Sequence, residues 1–357
     1  MIKFEQSCLF KIRKIKTHKK EAQKKQANPL IFNTLLFYRT TIHKSYTIIF
    51  NQYNLKNQAM TNTKYFFTRF FALSCILFTP FEAYSKADSA PIPKLSVQLH
   101  SVRGDVSKDF KSTLKKIAEI GFSGIEFAGR YGPYDNDPIG LKNFLKELGL
   151  EVSGVHISLR QLTGSDADKH LAFFKALGTE FIIIPFDSRA SQSENIDEFI
   201  NELKQVNKRV RAMDMYMGYH NHSSEFETFK EESFWDYIAI NTPDDLILQL
   251  DVGWATFAGV DPVEYVKRFP QRTLTTHFKI RTYKGKPGVV STSHQVILGE
   301  DNFDWKRLIE SSIEFGNTRW IVVEQEEYPI PLSPMQAVEA SFNGINAILH
   351  EVKKNRG

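Results

Sequence analysis

The chain has 357 residues, with 46 Lys and Arg against 41 Asp and Glu, a formal net charge of +5 and two cysteines. That length exceeds one barrel and falls short of two large domains. The basic excess is confined to the start: residues 1–59 carry 12 Lys and Arg against 2 Glu, whereas from Asp88 onward 31 basic side chains face 38 acidic ones, a net of −7. A mildly acidic body has no electrostatic footprint for nucleic acid, which argues against that class of partner.

Residues 1–59 show no sustained period, and we read them as a basic extension produced by an over-extended reading frame, with Met60 as the start. From Met60 the pattern changes. Lys64 and Arg69 precede the apolar run FFALSCILF, and AYSKA follows, which is the layout of a secretory signal peptide over 60–87 cleaved after Ser85 or Ala87. About a dozen apolar residues fall short of the ~20 that a spanning helix needs, so no stable membrane insertion is expected after cleavage. Cys75 sits inside the run, with apolar residues beyond it, which argues against a lipoprotein site. Cys8 and Cys75 both leave with the leader, and a body without thiols suits a periplasmic or secreted protein.

From Pro93 strand and helix patterns alternate. LSVQLHSV (Leu95 to Val102) reads as a strand, and the helix after it has Ser107 as its expected N-cap, apolar Phe110, Leu114 and Ile117, and a stop at Gly121. GIEFAG, VSGVHISL and FIIIPF give three more strands, separated by the helical segments LKNFLKELG and Asp166 to Gly178. After Asn195 a long helix runs toward Met213. Then come MYMGYHNH (Met215 to His222), LILQLDVGW (Leu246 to Trp254), TLTTHFKI (Thr273 to Ile280) and WIVVEQE (Trp320 to Glu326), each followed by a helical pattern, the last of them from Ser333 to about Lys353.

Eight strands, each followed by a helix, predict a single closed (β/α)8 TIM barrel over residues 93–354. An open doubly wound sheet is the competing architecture, but no GxGxxG turn follows any strand. The stretch from Ile280 to Phe303 is long for a loop and is expected to form a flap over the site.

In a parallel barrel the carboxyl ends of the strands form the active face. Those ends carry His100, Glu126, His156, His220 with His222, Asp251, His277 with Lys279, and Glu324 with Glu326. Side chains two apart on a strand share a face, so each pair points one way. Taken singly these residues mean little: His156 is as readily a hydrogen-bonded core residue, and Glu126 a partner of Arg130. Together they are informative, because so many ionisable groups facing one interior are costly without a metal or polar ligand. Imidazole and carboxylate are also the donors that divalent metals take. His220 and His222 are equivalent ligand candidates on this reading.

QLHSVR, GFSGIEFAGRYG, GVHIS, GYHNHSSEFE, QLDVGWATFAGVDPVEYVKRFP, HFKI, LGEDNFDW and VVEQE resemble the sugar phosphate isomerase/epimerase family with a xylose-isomerase-like barrel, over roughly Leu95 to Glu351. The resemblance implies one divalent metal (manganese, zinc, cobalt or iron) held, by position, by His220, Asp251, His277 and Glu324. It also exposes a departure. The better-known epimerases of that family place a glutamate on strand five, and the two metal-bound glutamates exchange a proton with opposite faces of the substrate. Here only Glu324 remains.

The expected activity is therefore an exported, metal-dependent isomerase or epimerase that forms an enediolate on a ketose or keto-glycoside. The alternatives are a lyase acting by β-elimination on 3-keto-glycosides, and a barrel that binds sugar without turnover. His156 or Glu324 would be the base, Glu126 and Glu326 would hold hydroxyls, and Lys279 would stabilise negative charge. His100, His222 and Trp254 are the further substrate contacts expected. Export and the absence of a P-loop argue for an unphosphorylated small carbohydrate as the partner. Oligomeric state leaves no readable trace in the sequence.

Overall fold

The computed structural model describes residues 91–281 and 296–356. The predicted extension and signal peptide, and residues 282–295 of the predicted flap, lie outside the described residues.

Eight strands form one closed parallel ring: β1 (Lys94–Gln98), β2 (Gly124–Phe127), β3 (Glu151–His156), β4 (Phe181–Ile184), β5 (Tyr216–His220), β6 (Ile247–Asp251), β7 (Thr275–Phe278) and β8 (Trp320–Val323). β1 closes the ring by pairing with β8, Ser96 opposite Val322. The main crossover helices are α1 (Phe110–Ile120), α2 (Pro138–Glu147), α3 (Ala167–Leu177), α4 (Ile196–Arg211), α5 (Phe234–Asn241), α6 (Pro262–Arg268), α7 (Trp305–Ser311) and α8 (Pro334–Arg356). The expected eight-stranded barrel is the observed one. No helix among the described residues is long and apolar enough to cross a membrane.

Local sequence explains these elements. FIII in β4 and WIVV in β8 are buried along their whole length, as strands covered on both faces require. α4 packs Ile196, Phe199, Ile200, Leu203, Val206 and Val210 inward at helical spacing. Each such side chain contributes roughly 1.5–3 kcal/mol when fully buried, and Leu203→Ala alone would cost about 2–5 kcal/mol. Asp197 and Glu198 open α4 while Lys208, Arg209 and Arg211 close it, matching the helix dipole at both ends.

Ser107 does not cap α1. A short helix, Arg103–Lys108, precedes it, and the Ser107 hydroxyl donates to Arg103 O at 2.7 Å. Asp109 takes the cap instead, in extended backbone, with its carboxylate accepting from Ser112 N at 3.0 Å. The long helix expected after Asn195 is α4, which begins at Ile196. A small antiparallel hairpin, Thr228–Phe229 with Glu232–Ser233, follows β5 and was not foreseen.

The barrel interior is layered. Phe181, Ile183, Ile247, Leu274, Trp320 and Val322 form an apolar plug, separate from the large core between sheet and helices. A Cβ on Gly124 would lie 2.7 Å from the Trp320 ring, so glycine at the start of β2 gives the indole its place. Further along the strands the interior turns polar: Ser96 and Ser153 share a hydrogen bond of 2.6 Å, and beyond them Gln98, Glu126, Gln249 and His277 are fully buried. The polarity therefore collects at the carboxyl ends.

Candidate metal centre

The motif YHNHSSEF builds one side of the site. Alternation along β5 turns His220 inward and Asn221 toward the neighbouring β6, where its amide meets the Asp251 backbone. Glu225 then ties the loop: it accepts from Tyr219 OH at 2.6 Å and from His222 N at 2.9 Å. The strand end and the turn after it are thus fixed to each other by one buried carboxylate.

His220, Asp251, His277 and Glu324 each bring a donor atom to one place, all within 4.8 Å of one another. His220 Nε2 stands 3.6 Å from Asp251 Oδ2, His277 Nδ1 stands 3.9 Å from the same oxygen, and His277 Nδ1 is 3.0 Å from Glu324 Oε2. Donors bonded at about 2.0–2.2 Å to one ion lie roughly 3–4 Å apart, so the spacing fits. Asp251 Oδ2 is buried without a hydrogen-bond partner, an expense that a cation would relieve. The charges agree as well. The carboxylates Glu126, Asp251, Glu324, Glu326 and Glu327 outnumber the cations Lys279 and Arg281, so with neutral imidazoles the cluster keeps an excess of negative charge that a cation would offset. Of the two strand-five histidines, His220 belongs to this candidate set and His222 does not.

Burial and neighbouring imidazoles hold His220 well below the usual histidine range, which keeps it neutral as a ligand must be. Burial, with Glu324 adding to it against Lys279, pushes Asp251 up to about 6. Glu324 is the reverse: burial would raise it, but Lys279 and His277 hold it well below the carboxylate range. His277 is pushed up to about 10, because Glu126 and Glu324 on either side outweigh its burial. Lys279 stays charged for the same reason, with burial overcome by Glu324, Asp251 and Glu326.

The other expected residues fall into two groups. Lys279 lies among the ligands, 3.0 Å from Glu324 Oε2, 3.6 Å from Asp251 Oδ2 and 2.5 Å from Glu326 Oε2. His156 joins from β3, its ring stacked on His277 at 5.2 Å. Glu126 lies between the histidines, fully buried, with both oxygens taken by protein donors, and Arg130 turns away to Ser107. The second group lines the rim. His100 leaves the strand, in a turn after β1, with Nε2 3.7 Å from Glu326 Oε1. His222 packs on Trp254 at 5.2 Å and edge-on to exposed Phe186 at 5.6 Å. His222 Nδ1 and Trp254 Nε1 are both buried without partners. Burial, then Lys279, pushes His222 down to about 4, so its ring is neutral at physiological pH. Arg281 stacks over Trp254 at 4.2 Å and donates to Glu326 at 3.2 Å.

Gln98, Gln249, Asn221 and Glu225 complete the site, and the sequence reading gave none of the four a role. Gln249 was the most accessible of them, since it sits two residues before Asp251 and shares its inward face.

Comparison with known proteins places this architecture. An inosose dehydratase of Mesomycoplasma hyopneumoniae strain J is 24% identical over 295 residues, 74% of this chain and 96% of the relative. The crystal structure of a sugar phosphate isomerase/epimerase from Parabacteroides distasonis superposes with a TM-score of 0.56 at 22% identity, covering 75% of this chain and 99% of that one. The probable 3-DHS dehydratase AsbF of Bacillus anthracis superposes at 0.54 with 16% identity, over 71% and 98% of the two chains. The family model described as the xylose isomerase-like TIM barrel matches residues 114–347. With that match spanning most of the barrel, the chain belongs to the xylose-isomerase-like TIM barrel family.

Proposed function

We propose that the protein is an exported metal-dependent lyase that removes water by β-elimination from an unphosphorylated keto-cyclitol or keto-glycoside. The observation that carries this reading is the occupant of the strand-five ligand position. A two-carboxylate epimerisation needs a carboxylate there, and His220 stands in its place, with Nδ1 3.1 Å from Gln249 Oε1. One face of the substrate thus lacks a carboxylate base. The dehydratase names of relatives spanning most of the chain support elimination over the isomerase reading.

A divalent ion at the four ligands supplies Lewis acidity that draws charge from a substrate carbonyl and acidifies the neighbouring C–H. Between the two expected bases, His156 is the better. Glu324 already accepts from Lys279 and faces His277, and both hold its carboxyl low. His156 Nε2 faces two acceptors, Gln249 Oε1 at 2.9 Å and Glu126 Oε1 at 3.1 Å, so it carries the hydrogen and Nδ1 is left to accept a proton. Lys279 holds a fixed positive charge beside the ligands, where negative charge develops on the substrate oxygen. The balance closes on one residue. His156 takes the α-proton, the C–O bond to the β-hydroxyl breaks as the double bond forms, and the same proton leaves with the hydroxyl as water.

Two of the described rim cations are already held by carboxylates: Arg281 pairs with Glu326 and Glu327, and Lys279 with Glu324 and Glu326. Arg103 donates to His100 O and Tyr328 OH. An uncharged sugar suits such a mouth, as it suits an exported protein.

The test is turnover of an inosose or a 3-keto-glycoside by zinc- or manganese-loaded protein in deuterium oxide. The expected product is one water lighter than the substrate and is not formed by His156→Ala. Substrate recovered with deuterium at carbon and no lighter product makes the protein an epimerase. Binding without exchange or elimination makes it a sugar-binding barrel. Export is tested separately, by N-terminal sequencing of protein from the cell envelope and medium: a start at Lys86 or Asp88 is expected, and retention of the basic extension overturns it.

A further inference from the structure

The interior histidines are held from below by two residues that touch neither rim nor solvent. Gln249, on β6, and Glu126, on β2, are both fully buried. Gln249 Oε1 lies 2.9 Å from His156 Nε2 and 3.1 Å from His220 Nδ1. Its Nε2 donates to Glu126 Oε2 at 2.8 Å and lies 3.3 Å from Thr275 Oγ1. Glu126 Oε1 in turn accepts from Gln98 Nε2 at 2.9 Å and from His277 Nε2 at 2.5 Å.

This network permits one orientation of the Gln249 amide. Turned over, it would set carbonyl oxygen against the Glu126 carboxylate and leave two acceptors facing each other in a buried space. With the amide as it stands, the hydrogen of each imidazole is assigned. His220 must donate through Nδ1, which leaves the lone pair of Nε2, the atom 3.6 Å from Asp251 Oδ2. His277 must donate through Nε2 to Glu126, so the nitrogen that can give up its hydrogen to a metal is Nδ1, the atom facing Glu324 and Asp251. His156 must donate through Nε2.

We infer that Gln249 and Glu126 are positioning residues that fix the tautomers of His156 and His220 and hold the Nε2 hydrogen of His277, and so preset which nitrogen of His220 and His277 meets the metal. His220 and His277 point opposite nitrogens at the same ion, a consequence of approaching it from different strands over one shared platform. A free imidazole interconverts its tautomers readily, so without the platform a share of the chains would present N–H where a lone pair is needed. The inference concerns the ligands and not the reaction, and it stands whether the barrel eliminates, epimerises or only binds.

The experiment combines long-range nitrogen-15 imidazole spectra with zinc titration, on wild type and on Gln249→Met, which keeps length and removes both hydrogen-bonding atoms. In the zinc-loaded wild type, His220 is expected to show a protonated Nδ1 and a metal-bound Nε2, and His277 the opposite. In Gln249→Met the binding stoichiometry is expected to stay at one while affinity falls roughly 10- to 100-fold, the range for residues that orient a ligand from behind. His220 in the metal-free variant is expected to become a tautomer mixture. Wild-type His220 bound through Nδ1, or a folded variant with unchanged affinity, overturns the inference. If Gln249→Met fails to fold, the wild-type spectrum decides alone, and it needs no substrate.

Discussion

Asn221 and Asp251 grip each other across β5 and β6: the Asn221 Oδ1 accepts from Asp251 N at 2.9 Å while its Nδ2 donates to Asp251 O at 3.2 Å. The side chain that follows one strand thereby replaces backbone pairing at the end of the next, at a residue of the candidate metal set. Asn221→Asp keeps the shape but replaces the donor with a carboxylate oxygen facing the Asp251 carbonyl. We expect a stability loss of about 1–3 kcal/mol, from two buried acceptors left face to face, and zinc binding weakened by roughly 10-fold or more. Urea unfolding and a zinc titration measure both. Unchanged zinc affinity would mean that Asp251 is held without the clamp.

His277 lies between two carboxylates, with Nε2 on Glu126 and Nδ1 on Glu324. Without a metal both nitrogens are best served by carrying hydrogen, which is why the ring is pushed up to about 10. A metal on Nδ1 must displace that proton. Zinc binding near neutral pH is therefore expected to release about one proton from this ring, seen as a dependence of the calorimetric heat on the ionisation enthalpy of the buffer. The sign for stability follows from the raised value: the metal-free barrel holds this contribution in full below the ordinary histidine value of 6.5 and loses it as pH rises through about 10. Equal heats in all buffers would show that His277 is already neutral when the metal arrives.

Gly154 leaves the space that Glu126 occupies. A Cβ at that position would stand 2.8 Å from Glu126 Oε2, and the carboxylate cannot retreat because Gln98, Gln249 and His277 hold it. Gly154→Ala is expected to cost about 1–3 kcal/mol from overpacking and to weaken zinc binding, although residue 154 touches no ligand in the metal set. Thermal melting with and without zinc separates the two effects. A variant that melts and binds like wild type would show that the interior has slack.

The barrel was legible because its signals are local and repeated. Apolar runs such as FIII and WIVV, each ending in a polar residue and followed by a helical stripe, can be read without knowing what packs on what. The strand-end set was legible by parity, but His222, Lys279 and Glu326 share the inward faces of His220, His277 and Glu324, so the choice of His220, Asp251, His277 and Glu324 came from the family resemblance and agrees with the cluster found. Their support was not legible. Gln249 and Gln98 look like ordinary polar residues in a strand, and their importance comes from partners 93 and 28 positions away in sequence. Glu126 was expected at a substrate hydroxyl, but its carboxylate is fully buried and meets Gln98, Gln249, His156 and His277, partners that come from other strands and cannot be read from its own. His100 left its strand because Gln98 accepts from the His100 backbone N at 3.1 Å and turns the chain into a short helix.

Lys279 yields a prediction with opposite signs for two measurements. Its ammonium sits 3.0 Å from Glu324 Oε2 and 3.6 Å from Asp251 Oδ2, so it would compete with a metal for the same carboxylates, and under the proposed elimination it would also offer positive charge to the substrate oxygen. Two unit charges at about 4 Å interact by about 4 kcal/mol at the effective dielectric of a protein surface, and only part of this survives the pairing of Lys279 with Glu326. In Lys279→Met, zinc is therefore expected to bind as tightly as in wild type or more tightly, with turnover reduced by roughly 100-fold or more, the scale for losing one stabiliser of developing charge. A purely structural lysine would behave differently, because its loss would loosen Glu324 and weaken the metal as well. Zinc titration beside steady-state rates at saturating metal tells these apart, and weaker zinc binding in Lys279→Met would remove Lys279 from the chemistry and make it a strut for Glu324 and Glu326.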